Sequence, residues 1–385
     1  MTSKVIVYSQ IFPPKSGGSG RWFFELYRRL TVIEPVFLVG EAPGDKEFDQ
    51  SHANLCIHRY QSEKTSWGFQ SWHSVKEYWR QFRTLSKVIN QHQIKEVHCG
   101  RILPEGVPAL LAKLLKGVPY SCYIHGEDIE VARTSRELTL LTKLVMRYAD
   151  RLICNSKTTQ GYVERYWSAY LAKTVVLHPG VDTDFFQPLA SAELPDDNRP
   201  FTLLTVGRLQ QRKGHDVVIK AIAELKKRGV FYQYRIAGDG EEKPHLQALC
   251  TQLDVADRVV FLQEISDEIL KHEYQHCDLF ILANRRVGND DEGFGMVLLE
   301  AQACGKPVIA GRSGGTWETM QEGQTGWLVD CTDEIRLVQL LENQEVQLKA
   351  ESYGETGRRL VAENFSWIAL AQKASHLFIN SHPTV

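Results

Sequence analysis

Glu292 and Glu300 stand eight residues apart in the stretch EGFGMVLLE (292–300), with the glycine-bracketed Phe294 and an apolar run between them. In one unbroken helix that spacing leaves the carboxylates roughly 80° apart around the axis and about 12 Å along it. A shared metal or a close acid–base pair does not suit that distance. Gly293 and Gly295 permit a tight turn. The pattern therefore predicts Glu292 in a loop, a helix beginning near Met296 with Glu300 one turn inside, and a stop at Gly305 and Pro307. A helix N-terminus presents free N–H groups and a positive dipole end, which attract phosphate. Carboxylates beside it can accept hydrogen bonds from sugar or ribose hydroxyls. On spacing alone, a solvated Glu292 and an ordinary exposed Glu300 stay open.

Other segments carry compatible chemistry. VGRLQQRKG (206–214) places Gly207, Arg208 and Lys213 after an apolar run. Fixed cations at a strand end suit a diphosphate, arginine as a fork and lysine as a point charge; a solvated loop is the alternative. FPPKSGGSGRWFFEL (12–26) supplies Gly17, Gly18 and Gly20 ahead of a helical pattern. It is neither a G-x-G-x-x-G fingerprint nor a Walker A loop. YIHGEDIE (123–130) puts His125 at another strand end, where a purely structural histidine is the alternative. SGGTWE (313–318) repeats the glycine turn before a helix.

Strands must bring these loops together. Short β-branched runs occur at 4–10, 35–40, 96–100, 120–126 and 151–156, and again at 201–208, 234–240, 258–264, 278–284 and 306–311. They alternate with helical patterns and are apolar on both faces, as in covered parallel sheets. The pattern predicts an α/β protein of two doubly wound, Rossmann-like domains. The expected bounds are an N-terminal domain over 1–185, a proline-bearing linker over 186–200, a C-terminal domain over 201–364, and a closing helix and tail over 365–385.

The chain has 385 residues, 43% hydrophobic and 24% charged, with a formal net charge of −2, which excludes the basic balance of a general nucleic-acid binder. Its N-terminus lacks a signal-peptide apolar region, and no apolar run reaches the span of a membrane helix. The eight cysteines are scattered without C-x-x-C spacing, so the expectation is reduced thiols in a cytoplasmic protein and no metal site. SWGFQSWHSVKEYWRQFR (66–83) interleaves aromatic and basic residues at near-helical spacing. Two readings stay open for it: a helix lying in a membrane interface, or one whose aromatics pack in the core or wall the acceptor cleft.

Taken with HGED (125–128), HPGVDTDFF (178–186), AGDG (237–240) and EGFGMVLLEAQACGKPVIAGRSGG (292–315), the chain resembles the retaining glycosyltransferases of family 4 over nearly its whole length. The resemblance implies two Rossmann-like domains facing across a cleft, the glycosyltransferase B fold. It implies a hexosyltransferase that takes a nucleotide-diphosphate sugar as donor and a glycan or lipid-linked acceptor, with no cofactor and no metal. By position, Arg208 and Lys213 match the clamps on the donor diphosphate, Glu300 the ribose ligand and Glu292 the ligand of the transferred sugar. The amides around Gly293, Phe294 and Gly295 match sugar or phosphate contacts, with Gly207 in the clamp loop. His125 matches the histidine beside the donor sugar, and Gly17 and Gly18 the loop over the phosphates. FLQEISDEIL (261–270), which contains Ile265, falls where the family binds the nucleobase. NRRVGNDDEGFGMVLLEAQACGKPVIAGRSGG (284–315) further resembles GDP-mannose-dependent phosphatidylinositol-mannoside mannosyltransferases. A lipid acceptor would put a cytoplasmic enzyme at the inner face of the membrane. A nucleotide-sugar 2-epimerase of similar fold and a non-catalytic nucleotide-sugar-binding protein are the alternatives. A glycosidase pair is a weaker one, since it leaves the Arg/Lys loop without a purpose.

Overall fold

Apolar runs too short to make helices, each followed by an amphipathic segment, form two parallel sheets covered by helices. The computed structural model describes residues 3–379 apart from 16, 62–66, 70, 190–198 and 264. Most of the expected linker, the tail beyond Ile379 and four positions in motifs quoted above, 16, 66, 70 and 264, lie outside the described residues.

The first sheet contains β1 (Ser3–Ser9), β2 (Ile33–Gly40), β3 (Cys56–Tyr60), β4 (Glu96–Cys99), β5 (Tyr120–Ile124), β6 (Arg151–Cys154) and β7 (Thr174–Val176), in the order β3-β2-β1-β4-β5-β6-β7. The second contains β8 (Phe201–Val206), β9 (Tyr232–Ala237), β10 (Val259–Leu262), β11 (Leu279–Leu282), β12 (Val308–Gly311) and β13 (Gly326–Val329), in the order β10-β9-β8-β11-β12-β13. Every pairing is parallel. Strand order reverses between β1 and β4, and between β8 and β11. Doubly wound sheets bind ligands at the carboxyl side of such reversals.

The chain divides into one unit of residues 1–179 and 367–385 and another of 180–366. The division differs from the expected bounds for identifiable reasons. Val181 bridges to Ser366, and Phe186 is buried in the second core, so 180–186 belongs with the second unit. The closing helix Trp367–Ile379 returns to the first unit, where Phe378 stacks on Tyr27 and lies against His98.

The helix Trp72–His92 divides its aromatics between core and surface. Ser71 caps its start, accepting from the Ser74 amide. Tyr78, Phe82, Leu85, Val88 and Ile89 enter the core. Trp72 is 82% exposed and Trp79 51% exposed, so the expectation of aromatics packed in the core holds for Phe82 and fails for these two. Among the described residues no helix is long and apolar enough to cross a membrane.

Candidate active site

The loops at the carboxyl ends of β8, β11 and β12 build one charged cluster. After β8 the chain makes a short turn of 3-10 helix, Gln211–Lys213, and enters the helix His215–Lys227. That turn aims Lys213 at Glu292, Nζ to Oε2 2.6 Å, and Arg212 at the same oxygen, 2.5 Å. Arg212 also reaches Asp290 at 3.1 Å. The backbone holds the loops together, with the Arg285 amide donating to the Arg212 carbonyl at 2.9 Å. Beneath it, Arg285 pairs with Asp216 at 2.8 Å.

Glu292 is not a solvated loop charge. Only 11% of its side chain is exposed. Burial works against its ionisation, but Lys213 and then Arg212 outweigh burial and hold its pKa below the usual carboxylate value. The turn around it depends on close backbone approach. A Cβ on Gly314 would lie 2.0 Å from the Glu292 carbonyl oxygen, and one on Gly315 would lie 2.3 Å from that of Gly293. With glycine at both, the Gly315 amide donates to the Glu292 carbonyl at 2.8 Å, and Ser313 donates to Asp291 at 2.5 Å.

The helix after this turn is Met296–Ala303, as the spacing predicts, with Gly295 at its N-cap in the left-handed region. Gly295 offers no side chain to cap the first turn, and its carbonyl accepts from the Leu298 amide at 3.0 Å, so the amides ahead of Leu298 leave the helix tip a donor surface. Phe294 is buried beneath it, 3% exposed. Glu300 lies in the second turn and is 7% exposed, where the Tyr274 hydroxyl donates to Oε2 at 2.7 Å. That burial removes the reading of Glu300 as an ordinary surface residue. Arg208 shares the loop with Lys213 but is exposed, and none of the ion pairs among the described residues engages it. Gly207 lies beside Lys213 in the left-handed region, φ 146°, a conformation that favours glycine. Ile265, half-buried, sits in the loop after β10.

Two expected site elements belong to the first unit. Gly17 caps the helix Gly18–Tyr27. His125 follows β5 and packs edge-on against Trp22 and Phe23 of that helix, with centroids at 5.7 and 6.0 Å. Its Nε2 lies 2.8 Å from the Gly100 carbonyl. A carbonyl can only accept, so Nε2 carries the proton and Nδ1 keeps a lone pair. Burial, then the Arg101 charge, lower the His125 pKa to about 4, so the ring is neutral near pH 7. Asp128 accepts from the amides of His125, Gly126 and Ile129, each at 3.1 Å. Burial raises its pKa to about 6 against the pull of Arg101.

Arg212, Asp290, Asp291 and Tyr274 were not singled out from sequence. Arg212 was visible as a second arginine in the quoted loop, but only the 3-10 turn decides that it, rather than Arg208, faces Glu292. Tyr274 gave no signal, because it stands 26 residues upstream of its partner.

Comparison with known proteins decides the family. Residues 16–185 match the family described as Glycosyltransferase Family 4, and residues 187–359 match Glycosyl transferases group 1. A GDP-mannose-dependent alpha-(1-6)-phosphatidylinositol monomannoside mannosyltransferase of Mycolicibacterium smegmatis is 32% identical over 74% of this chain and 76% of its own. The chain is a family 4 glycosyltransferase. An enzyme of the same description from Mycobacterium tuberculosis is 29% identical to this glycosyltransferase over 96% of the chain and 97% of its own length. The solved structure of Anabaena Alr3699/HepE in complex with UDP superposes with a TM-score of 0.80 at 19% identity, covering 98% of this chain and 100% of that one. The fold of this glycosyltransferase is accordingly the two-Rossmann-domain glycosyltransferase B fold. The epimerase reading finds no support in these matches.

His215, 1% exposed at the start of its helix beside the Lys213 turn, has its pKa lowered from 6.5 to about 4, chiefly by burial. Between those values the unfolded chain binds a proton that the folded one refuses, so stability falls as pH drops from 6.5 toward 4. His215→Gln should remove that loss. The wild-type minus variant difference in unfolding free energy, from urea titrations, should change by about 1.4 kcal/mol per pH unit in this window. Parallel curves would show that His215 does not titrate with folding.

Proposed function

We propose that the enzyme moves a hexose, mannose by preference, from a nucleotide-diphosphate donor to a glycan or glycolipid acceptor with retained anomeric configuration and without a metal. The observation that carries this reading is the Lys213–Glu292–Arg212 cluster beside an uncapped helix tip at the carboxyl end of β8 and β11. Breaking the bond between the sugar C1 and the phosphate oxygen leaves a diphosphate. Stabilising its charge is an electrostatic task suited to fixed cations and oriented amides. Arg208, unpaired with the cluster, and Lys213 clamp the diphosphate. A donor phosphate competes with the Glu292 carboxylate for Lys213, which frees Glu292 to accept from a hydroxyl of the sugar. Glu300, already oriented by Tyr274, accepts from the ribose. The acceptor oxygen bonds to C1 on the face the diphosphate leaves, and its proton passes to the departing phosphate oxygen, so the enzyme supplies no nucleophile. His125, neutral, acts beside the sugar as a hydrogen-bonding group. Gly17 and Gly18 bring amides to the phosphates, and the backbone near Ile265 receives the base. Mannose, GDP and a lipid-linked acceptor are favoured by the activity named for the mycobacterial relatives.

The acceptor suggests a surface for contact with a membrane. On the helix Trp72–His92, Trp72, Val75 and Trp79 stand exposed on one side, with Lys76, Arg80 and Arg83 around them. Aromatic anchors with flanking cations match an anionic bilayer interface. In this proposal the enzyme sits on the cytoplasmic leaflet as a peripheral protein.

The donor is identified by a thermal-shift screen of GDP-, UDP- and ADP-sugars, followed by anomeric analysis of the product with the best donor. An inverted product would overturn retention, and a sugar altered without acceptor would restore the epimerase. With that donor, Lys213→Ala and Arg208→Ala should each lower kcat by about 100-fold or more; wild-type turnover in either removes that residue from the clamp. Turnover should persist in excess EDTA, and a loss rescued by a divalent ion would contradict the metal-free mechanism. Wild type should co-sediment with anionic vesicles and Trp72→Glu/Trp79→Glu should not; equal behaviour of the two proteins would sink the membrane surface.

A further inference from the structure

At the other end of the first sheet, three ligand-type side chains converge. Cys56 and His58 stand two residues apart on the edge strand β3 and therefore share a face. His92 ends the long helix that returns the chain to the amino ends of the strands. His58 Nε2 and His92 Nε2 are 2.9 Å apart, and Cys56 Sγ lies 3.6 Å from the first and 4.0 Å from the second. All three residues are half-buried. The carboxyl-end loops that carry His125 lie at the opposite end of the strands, so the cluster stands apart from the site described above.

We infer that Cys56, His58 and His92 form a binding site for one divalent cation of the zinc class. A tetrahedral zinc ion with Zn–S near 2.3 Å and Zn–N of 2.0–2.1 Å sets S···N edges of about 3.6 Å and an N···N edge of about 3.3 Å. The observed sulfur edges match within about 0.4 Å, and the two imidazoles need to part by a similar amount. Their contact already requires one ring nitrogen to accept, so a neutral imidazole faces the centre. A mixed thiolate–imidazole set selects zinc, cobalt, nickel or copper over magnesium or calcium. On binding, the Cys56 thiol releases its proton to solvent, and the imidazole that donates in the His58–His92 contact gives up its Nε2 proton to solvent and keeps or takes one at Nδ1; the sulfur and the two Nε2 nitrogens then each donate a lone pair, and water fills the fourth position. The nearest carboxylate on this face is that of Glu34, one strand over and paired with Lys4 at 3.2 Å. A cation held by both ends of segment 56–92 ties the edge strand to the helix and closes that loop.

The test uses the full-length protein, stripped of metal by a chelator and titrated with Co²⁺ and then Zn²⁺. The expected result is one equivalent of Co²⁺ with a thiolate-to-cobalt charge-transfer band that Zn²⁺ displaces, and a rise in Tm with Zn²⁺. Cys56→Ser should lose the band, and His92→Gln should weaken binding by about tenfold or more. Both should keep wild-type turnover, since the cluster is remote from the carboxyl-end loops. His92→Gln, at a helix end, serves if Cys56→Ser does not fold. Absence of the band in wild type, or the same stoichiometry and Tm response in the variants, would leave only a hydrogen-bonded thiol and imidazole pair and overturn the site.

Discussion

The charged cluster at the carboxyl ends of β8 and β11 depends on keeping Glu292 ionised where water is scarce. A carboxylate with 11% of its side chain exposed would lose its proton reluctantly if alone. Lys213 and Arg212 make the ionised form the stable one, and the charge in turn holds both long cations in single positions. Such clusters contribute little net stability, because desolvation offsets most of the attraction, yet losing one partner from a buried pair costs about 3–5 kcal/mol. The cluster is therefore better understood as a positioning device. In the proposed reaction it assembles the cations before the donor arrives, so little reorganisation is left for the reaction itself.

That device works only because the scaffold brings three loops to one edge. Parallel strands place all their carboxyl ends on the same side, and the reversal of order between β8 and β11 opens a gap there. Lys213 and Arg212 come from the loop after β8, Glu292 from the loop after β11, and Gly314 and Gly315 from the loop after β12. Each carbonyl approach at the two glycines is closer than any Cβ permits. The position of Glu292 is thus set by backbone contact from one side and by cations from the other.

Local chemistry made much of this legible. The helix start at Met296, the glycine turn before it and the Arg/Lys loop could be read because their signals lie within a few residues of one another. The edge strands β3, β7 and β13 could not. CIHRY carries histidine and arginine, TVV has three residues, and GWLV opens on glycine, so none shows a buried-strand pattern. Tyr274 beside Glu300, and His92 beside Cys56 and His58, are products of topology, joined across 26 and 36 residues with no sequence cue. The two surface tryptophans were ambiguous for another reason. Helical spacing identifies a face but not which face the core claims, and here Tyr78, Phe82 and Leu85 claim it.

The strand-end groups around His125 in the first unit and Glu292 in the second respond to burial in opposite ways. In the first, burial lowers His125 to about 4 and raises Asp128 to about 6, and it also raises Glu105 above its ordinary value. Each moves toward its neutral form, even though Arg101 pulls both carboxylates back. In the second, Glu292 moves toward its charged form although burial opposes it. The difference is one of partners. Two cations bond directly to Glu292, whereas Asp128 and Glu105 rely mainly on backbone amides, and each leaves one oxygen without a hydrogen-bond partner. A neutral His125 cannot offset the charge of a leaving diphosphate. In the proposed reaction that work falls to the cationic loop of the second unit.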